Sequence, residues 1–413
     1  MQGTGQKMPT GHPPSVRTPS VRGNLRAIEA QKKKSIFYGI AARGYFDLPF
    51  FFLVIILLAF GLVMLYSASN VYALQHEGDS AFYVVRQLRF ALIGVICMVL
   101  ISYINYNALK RFAWIFYLAG LVLLVVVLFM PLRNGARRWI YIGSFNFQPS
   151  ELMKFFIIVL FAKLISDFSE KTDFERRMRS FKNGVLPFLI LLVPVVLLMY
   201  KEPHMSGIVL FVSITAVMMW VGGTHWAYFV GIFGAIAVGL AAIVLSGNIQ
   251  YMLDRVSYWL DPWSDPLDKG YQTIQSLYAI GSGGLWGVGL GNSRQKHLYI
   301  PEPQNDFIYA VICEELGFIG AVVLILLFVW LLWRGFKIAF RARDKFGAML
   351  AVGLSVQVGL QALLNIAVVT NTIPNTGISL PFFSSGGTSL MMLLAEMGVV
   401  LSVSRSTTID NAL

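Results

Sequence analysis

The chain has 413 residues, of which 56% are hydrophobic and 13% charged, and its formal net charge is +12. This composition lies outside the range of soluble globular proteins and inside that of membrane proteins. A disulfide-stabilised secreted domain is also excluded, because the only two cysteines, Cys97 and Cys313, both fall inside apolar stretches.

Residues 1–45 are predicted to form a basic, disordered cytoplasmic tail. The segment is rich in Pro, Ser and Gly and carries three consecutive lysines, Lys32, Lys33 and Lys34. Such a sequence cannot bury a core, and its charge suits anionic lipid better than nucleic acid. No small-residue cleavage signature follows the first apolar stretch, so we interpret that stretch as a retained span and not as a signal peptide.

Ten apolar stretches are long enough to cross the roughly 30 Å hydrocarbon core of a bilayer. We therefore predict an all-α, polytopic membrane protein, with a ten-helix membrane domain over residues 46–405 and a cytoplasmic tail over 406–413. One set of alternate loops holds about twice as many Lys and Arg as the other, which places both termini inside. The stretches lie near residues 46–68, 90–104, 112–131, 151–168, 185–200, 207–223, 226–246, 307–333, 346–369 and 388–404.

The loop before the fourth span carries the first candidate site residues. Arg137, Arg138 and Trp139 are followed by Glu151 and Lys154, which lie three residues apart at the start of the span. Arginine pairs suit bidentate contact with a diphosphate, lysine adds a point charge, and tryptophan can stack on a sugar. The arginines can equally anchor lipid head groups, and Glu151 with Lys154 can equally form a structural ion pair.

A long loop over residues 247–305 is predicted to lie on the outer side, between the seventh and eighth spans. Its first part has apolar residues at helical spacing and two tryptophans, Trp259 and Trp263, and predicts a helix lying on the outer leaflet. The next stretch, GYQTIQSLYAIGSGGLWGVGLG, is rich in glycine and aromatic residues. This composition favours backbone packed closely against other helices or against a lipid substrate.

No nucleotide-binding motif is present in the sequence. The glycines of GSGG follow no predicted strand, and no Walker A sequence occurs. Bond formation outside the cell, where nucleotide triphosphates are lacking, needs a donor that already carries a good leaving group. A lipid-linked diphosphate sugar meets that need, and no nucleotide cofactor is expected.

The eighth span begins behind Asp306, in the stretch YIPEPQNDFIYAVICEELG. On a helix that starts there, the small residues Ala310, Cys313 and Gly317 share the face below the aspartate and leave room for a groove or a neighbouring helix. Asp306 is either an N-cap, which would stabilise the helix start by roughly 1 kcal/mol, or a general base that takes a proton from a sugar hydroxyl.

Other polar residues are less specific. Glu314, Glu315 and Glu396 lie inside predicted spans, where they are either buried structural acids or part of an ion or proton route. His204 is predicted to be a plain surface residue, as is His297.

The last outer loop, NTIPNTGISLPFFSSGGTSL, is predicted to be shaped by turns and to fold inward as a broken helix that lines a cavity. Its hydroxyls, including those of Ser384 and Ser385, can bind sugar hydroxyls or cap a helix. A serine nucleophile is poorly supported, because the sequence offers no obvious activating histidine.

These stretches resemble the SEDS family (shape, elongation, division and sporulation proteins), which includes FtsW, RodA and SpoVE. The resemblance covers about residues 46–405 and is carried by GARRWI with QPSELMK, by DPWSDPLDKGYQTIQSLYAIGSGGLWGVGLGNSRQKHLYIPEPQNDFIYAVICEELG, and by GISLPFFSSGGTSL. The pieces GYQTIQSLYAIGSGG and PEPQNDF are more similar to the FtsW and SpoVE branch than to RodA.

The resemblance implies ten spans and a peptidoglycan glycosyltransferase that polymerises lipid II at the outer face of the bacterial cytoplasmic membrane. It implies a class B penicillin-binding protein, a transpeptidase, as partner, and it assigns the essential aspartate of the family to Asp306. The residues expected to bind substrate are Arg137, Arg138, Trp139, Glu151, Lys154, Lys201, Ser384 and Ser385. We also expect other division proteins as partners, undecaprenyl diphosphate as a lipid ligand, a location at the division septum, and a divalent cation, Mg²⁺ or Mn²⁺, that assists departure of the diphosphate.

The sequence departs from the family pattern in two places. Where many members have Pro-Asp-Leu-Gly after the fifth span, this chain has Pro203, His204, Met205 and Ser206, so any role of that aspartate is not carried over, although Glu202 is a candidate substitute. The last motif has a serine where a tyrosine is common.

Three alternatives remain at this stage. A lipid II flippase is motivated by the acids inside spans, although no internal repeat of the kind found in many transporters is visible. A scaffold for division proteins would need no catalytic aspartate. A polymerase acting in elongation or sporulation would share the chemistry but not the septal location.

Overall fold

The computed structural model describes residues 46–132, 137–142, 145–170, 173–231 and 257–407, together with Gly3 and Gly234. The described helices belong to one compact unit, Ala42–Leu413. The predicted N-terminal tail, most of the predicted seventh span, most of the predicted interfacial helix and residues 408–413 lie outside the described residues.

The described chain is almost entirely helical, with one short two-stranded ribbon that the all-α prediction did not include. The ribbon pairs Ile140–Ile142 antiparallel with Phe145–Phe147, with Tyr141 opposite Asn146. A short helix, Phe174–Met178, and a π-helical turn, Phe181–Val185, lead into the helix Leu186–Lys201. The main elements are α1 Leu48–Glu77, α2 Phe82–Ser102, α3 Asn107–Val127, β1 Ile140–Ile142, β2 Phe145–Phe147, α4 Pro149–Ser169, α5 Leu186–Lys201, α6 Met205–Val221, α7 Tyr271–Gly283, α8 Ile308–Phe340, α9 Lys345–Val369 and α10 Gly387–Thr407.

Seven helices in the described part of the chain are long and apolar enough to cross a membrane. They are α1, α2, α3, α5 with the turn before it, α8, α9 and α10. Helices α4 and α6 occupy the predicted fourth and sixth spans. The chain is therefore a multi-pass membrane protein, while the total of ten spans and the inside–outside topology stay predictions.

Helices α9 and α10 form the centre of the bundle, and α2 faces outward. In the most apolar stretch of α9, 67% of the residues are buried, against 22% in α2. Helix α9 packs against α4, α6 and α8, while α2 packs against α10 and leaves Leu92 and Leu100 exposed. Apolar side chains on the outside of such a bundle suit a lipid environment.

Helix α8 is broken at Gly317, which has φ 66° and ψ −167°. The sequence predicted one continuous span here, with Gly317 on the same helical face as Cys313. A break frees backbone groups that must find other partners inside a membrane protein. The segment after α7 supplies them: Val288 N donates to Glu314 O at 3.0 Å, and Phe318 N donates to Gly284 O at 2.9 Å.

Only glycine fits at this break. The positive φ disfavours any side chain, and a Cβ on Gly317 would lie 2.3 Å from Gly287 N. At the end of α7, a Cβ on Gly283 would lie 2.0 Å from Cys313 O. The glycine-rich stretch therefore packs closely against α8, as one of the two sequence interpretations predicted.

The two glutamates just before the break are structural. Glu315 is fully buried and accepts hydrogen bonds from Lys296 Nζ at 3.0 Å and from Ser67 Oγ at 2.6 Å. Glu314 accepts from Ser293 Oγ and from Arg294 N, the latter at 2.9 Å. These contacts favour the structural alternative over an ion or proton route for both residues, and they fix residues 293–296 to the first part of α8.

Candidate active site

A cavity of about 260 Å³ opens where the loop before α8 meets the loop between α9 and α10. Seven of the nine residues predicted to form the site line this cavity, although they come from four separate parts of the chain. They are Arg138, Trp139, Glu151, Lys154, Asp306, Ser384 and Ser385. The structure therefore brings most of the predicted residues together.

Asp306 lies just before α8 and does not cap it. The helix begins at Ile308, its N-cap is Phe307, and no side chain caps it. The carboxylate instead faces the cavity and approaches Gly377, where an added Cβ would lie 3.2 Å from Asp306 Oδ2. With φ 69°, Gly377 is also in a conformation that favours glycine. The interpretation of Asp306 as a helix N-cap, one of the two drawn from the sequence, is therefore wrong.

Hydrogen bonds from neighbouring elements hold the backbone at Asp306. Asn365 in α9 is fully buried and donates from Nδ2 to Asp306 O at 2.7 Å and to Ile378 O at 2.6 Å. Ser384 Oγ donates to Asn305 O at 2.7 Å. The carboxylate is thus placed by a backbone that is fixed on two sides, as a reacting group requires.

Ser384 and Ser385 differ in what their side chains do. Ser384 Oγ also accepts from Leu380 N at 2.7 Å, so its hydroxyl is used within the loop. Ser385 contacts the loop before α8 through its backbone, whose N–H donates to Gln304 O at 2.8 Å, and its side chain lines the cavity. The segment itself consists of turns and is not the broken helix that the sequence predicted.

Burial and a neighbouring acid make Asp306 a weaker acid than usual. Burial and, to a lesser degree, the charge of Glu302 raise the pKa of Asp306 to about 6, against the opposing effect of Arg138. A carboxyl with this pKa is roughly nine-tenths ionised at pH 7 and still basic enough to accept a proton in a reaction.

The short ribbon carries Arg138 and Trp139 to the cavity. Arg138 lies two residues before β1, and its guanidinium donates to the carbonyl oxygen of Pro203, ahead of α6. Arg138 also lines two adjoining cavities of about 350 and 480 Å³, and Asp306 lines the larger of these. The guanidinium therefore lies at the junction of three spaces.

Lys154 is buried and paired. Its Nζ lies 2.9 Å from Glu151 Oε1 and donates to Gln361 Oε1 at 3.1 Å, and the residue is 3% exposed. The ion pair weighed from the sequence is therefore present. Because an ammonium carries three donors, these two contacts leave one N–H to meet a ligand in the cavity.

Arg137 and Lys201 do not line the cavity that the other predicted residues share. Arg137 donates to Leu128 O at 2.8 Å, and Lys201 is exposed at the end of α5. Neither lines any of the three cavities. Their predicted role in substrate binding stays a prediction.

Sequence reasoning misplaced His204. It was predicted to be a surface residue, but it is 8% exposed and lines the cavity. Burial, Arg138 and Lys154 lower the pKa of His204 to about 3, so the imidazole is neutral. Glu202 is also buried, which raises the pKa of its carboxyl to about 8, and it does not line the cavity. The prediction that Glu202 substitutes for the family aspartate stays a prediction.

Polar residues inside spans complete the cavity. Gln357 and Gln361 of α9 line it, and Gln357 Nε2 donates to Glu396 Oε2 of α10 at 2.7 Å. Gln87 of α2 accepts from Gly387 N and so fixes the start of α10. The signal that could have identified these residues was an amide inside an apolar stretch, which is costly without a partner.

No metal site is preformed in the part of the chain that the structure describes, because no three His, Cys, Asp or Glu residues converge there. Asp306 and Glu302 are near enough for their charges to interact. Two carboxylates alone would hold a divalent cation only together with oxygens from a ligand, such as those of a phosphate.

Comparisons with known proteins agree with the fold. Residues 48–409 match the family model for FtsW, RodA and SpoVE, which is described as a cell cycle protein. Stage V sporulation protein E of Bacillus subtilis (strain 168) is 44% identical over 363 residues, which cover 87% of this chain and 97% of that protein. A probable peptidoglycan glycosyltransferase FtsW of Geobacter sp. (strain M18) is 38% identical over 366 residues, which cover 87% of this chain and 97% of that protein.

A solved structure extends the similarity to three dimensions. A chain from a study of the structural coordination of polymerization and crosslinking by a peptidoglycan synthase complex superposes with a TM-score of 0.73 and 30% identity. The match covers 88% of this chain and 98% of that chain. The resemblance identified in the sequence is thereby confirmed.

Proposed function

The chain belongs to the FtsW, RodA and SpoVE family of cell cycle proteins, and we propose that it polymerises lipid II into glycan strands at the outer face of the bacterial cytoplasmic membrane. The names of its FtsW relatives support a peptidoglycan glycosyltransferase. One observation carries the proposal for the site: a half-buried carboxylate, Asp306, shares a cavity with an arginine and a lysine at one end of a helical bundle.

Asp306 is the general base in this proposal. Its carboxylate accepts the proton of the 4-hydroxyl of the acceptor lipid II as that oxygen attacks the anomeric carbon of the growing glycan. The bond between this carbon and the diphosphate oxygen breaks, the electron pair leaves with undecaprenyl diphosphate, and the configuration at the carbon inverts. The raised pKa of Asp306 suits a base that works near neutral pH.

The cations at the cavity stabilise the departing diphosphate. Arg138 is the better placed, because a guanidinium can contact two phosphate oxygens at once and this one borders all three cavities. Lys154 contributes the donor that Glu151 and Gln361 do not use. Trp139 stacks on a sugar, and the hydroxyl of Ser385 accepts hydrogen bonds from the sugar hydroxyls or donates to them.

A divalent cation, Mg²⁺ or Mn²⁺, is compatible with this site only as part of a complex with the substrate. Asp306 and Glu302 would supply two protein ligands and phosphate oxygens the others, and the bound cation would neutralise charge on the diphosphate.

A class B penicillin-binding protein is the proposed partner. The similar solved structure belongs to a peptidoglycan synthase complex in which polymerization and crosslinking are coordinated, which fits a polymerase that hands its strand to a transpeptidase. The FtsW names of several relatives favour a septal location and contact with other division proteins, whereas the SpoVE relative leaves sporulation as the second candidate role.

The test is polymerisation of lipid II by the purified protein with its transpeptidase partner, comparing the wild type with Asp306→Asn. Asparagine keeps the shape of the side chain but cannot accept the proton. Asp268→Asn is the matched control, since this exposed aspartate before α7 lines none of the three cavities. Polymerisation by Asp306→Asn at the wild-type rate would reject the assignment of the base.

A further inference from the structure

Three buried polar atoms on residues that line the cavity have no hydrogen-bond partner within the described part of the protein. They are His204 Nδ1, Ser150 Oγ and Gln357 Oε1. Their residues are 8%, 2% and 2% exposed, and all three line the cavity. We call this group the cavity floor.

Unpartnered buried atoms of this kind are uncommon in native proteins. A buried acceptor without a partner destabilises the folded state, so such atoms normally contact ordered water or a ligand. Three of them, from the N-terminal end of α4, the residue before α6 and the middle of α9, face one space. This arrangement indicates a site that is completed from outside the chain.

The charges around the cavity floor favour a neutral ligand. Lys154 is already matched by Glu151 at 2.9 Å. His204 adds no positive charge, because burial and the nearby cations keep its imidazole neutral. An anion such as a phosphate is therefore attracted less strongly to the cavity floor than to Arg138, and Lys154 offers it only one remaining N–H donor.

The size of the cavity and the chemistry of the three atoms narrow the ligand further. At about 260 Å³ the cavity is smaller than the roughly 300–1,000 Å³ of a site for a whole ligand, so it accommodates one part of a larger molecule. Gln357 Oε1 accepts only, while a serine hydroxyl and a neutral imidazole can each meet a hydroxyl group. A group with several hydroxyl or amide N–H donors fits all three.

We propose that the cavity floor is a binding subsite for a neutral, hydroxyl- and amide-bearing part of the saccharide of the lipid substrate. Gln357 Oε1, Ser150 Oγ and His204 Nδ1 receive its donors, and the diphosphate stays at the mouth near Arg138. The inference rests on the proposed function and adds to it the residues that recognise the sugar.

The experiment measures binding of two lipids to the full chain in complex with its transpeptidase partner, in an Asp306→Asn background that prevents turnover. The first lipid is lipid II and the second is undecaprenyl diphosphate, which lacks the saccharide. The variants are Ser150→Ala and His204→Leu. His204→Asn is the conservative variant, because its amide retains a polar group near the position of Nδ1.

Each variant should weaken lipid II binding by roughly 2- to 13-fold, the change that corresponds to one neutral hydrogen bond, and leave undecaprenyl diphosphate unaffected. His204→Asn should recover much of the loss. Ser355→Ala is the matched control: this serine also lies in α9, is buried and has an unpartnered hydroxyl, but it does not line the cavity. It should bind both lipids like the parent.

Two results would overturn the subsite. Unchanged binding of lipid II in both variants would mean that only water completes the cavity floor. An equal loss for both lipids would mean that the variants alter the cavity as a whole. The proposed function fails separately, through full polymerase activity of Asp306→Asn in the otherwise unmodified chain.

Discussion

Two groups of buried polar side chains, one before the break in α8 and one around the cavity at Asp306, differ in how completely they are paired. Glu314 and Glu315, before the break in α8, each accept several hydrogen bonds, and Glu315 is paired with Lys296. The cavity at Asp306 instead combines this carboxyl, whose pKa is raised, with three polar atoms that have no hydrogen-bond partner. The fully paired glutamates therefore stabilise the fold, whereas the unpartnered atoms at the cavity are left to bind a substrate.

The largest effect expected from this contrast is on catalysis. Asp306→Asn should lower the rate of lipid II polymerisation by at least about 10²- to 10⁴-fold, which is the contribution of a positioned general base. It should not lower stability at pH 7, because the raised pKa means that ionised Asp306 is disfavoured in the folded state. A thermal unfolding scan in detergent measures the second half of this prediction; a large drop in Tm would assign Asp306 a structural role.

Breaking the ion pair between Lys296 and Glu315 should lower stability, in contrast to Asp306→Asn, which should lower catalysis. Lys296→Met leaves Glu315 buried without its counter-charge, so it should destabilise the protein by about 3–5 kcal/mol. The double variant Lys296→Met with Glu315→Gln removes both charges and should lose less stability than Lys296→Met alone. Denaturation of the purified variants measures this, and equal losses in the single and double variants would show that the charges are not coupled.

The glycine at the break offers a smaller test of the same region. Gly317→Ala introduces a Cβ at positive φ and 2.3 Å from Gly287 N, which should cost about 1–3 kcal/mol or more. Gly281→Ala in α7 is the control, because an added Cβ there meets nothing within 4 Å and alanine favours helix. Equal stability of the two variants would contradict the strained backbone at Gly317.

The smallest effect concerns pH. Polymerisation should rise with pH through a midpoint near 6 and level off above about 7, where Asp306 is largely ionised, and at pH 5 it should be about tenfold below the plateau. Glu302→Gln removes a charge that raises this pKa, so the acid limb should move to lower pH. A limb that stays in place would mean that Glu302 does not influence the base.

The same pKa has a defined effect on stability. A folded-state pKa above the usual value of 3.8 means that the folded protein binds this proton more tightly than the unfolded chain. The favourable contribution is complete below pH 3.8 and is lost as the pH rises through about 6. At neutral pH the site therefore retains an ionised carboxylate at some expense to stability, as is common for reactive groups.

The sequence predicted much of the site because chemistry and position agreed there. Asp306 follows a proline-bracketed polar stretch and precedes an apolar span, and Glu151 and Lys154 begin another, so all three were placed at helix ends. These residues converge with Arg138 in one cavity because of how the helices pack. Only the resemblance to the family implied this packing; the residue pattern alone did not.

What the sequence did not predict depends on contacts between distant segments. The apolar pattern continues through Gly317, and the groups that replace the lost helical bonds lie some 30 residues earlier, so nothing local marks the break. His204 lies in a short connection, which normally suggests exposure, but α6 begins there and buries it.

The broken helix has a mechanical consequence. The short piece Ile308–Leu316 is hydrogen-bonded to residues 288 and 289 and, through its glutamates, to residues 293–296, whereas Phe318 and Ile319 beyond the break donate to Gly284 and Leu285. Both parts of α8 are therefore held by the same segment after α7, in addition to the single glycine that joins them. A displacement of that segment would be transmitted to both parts of α8, and through the first part to Asp306, which lies two residues before the helix begins.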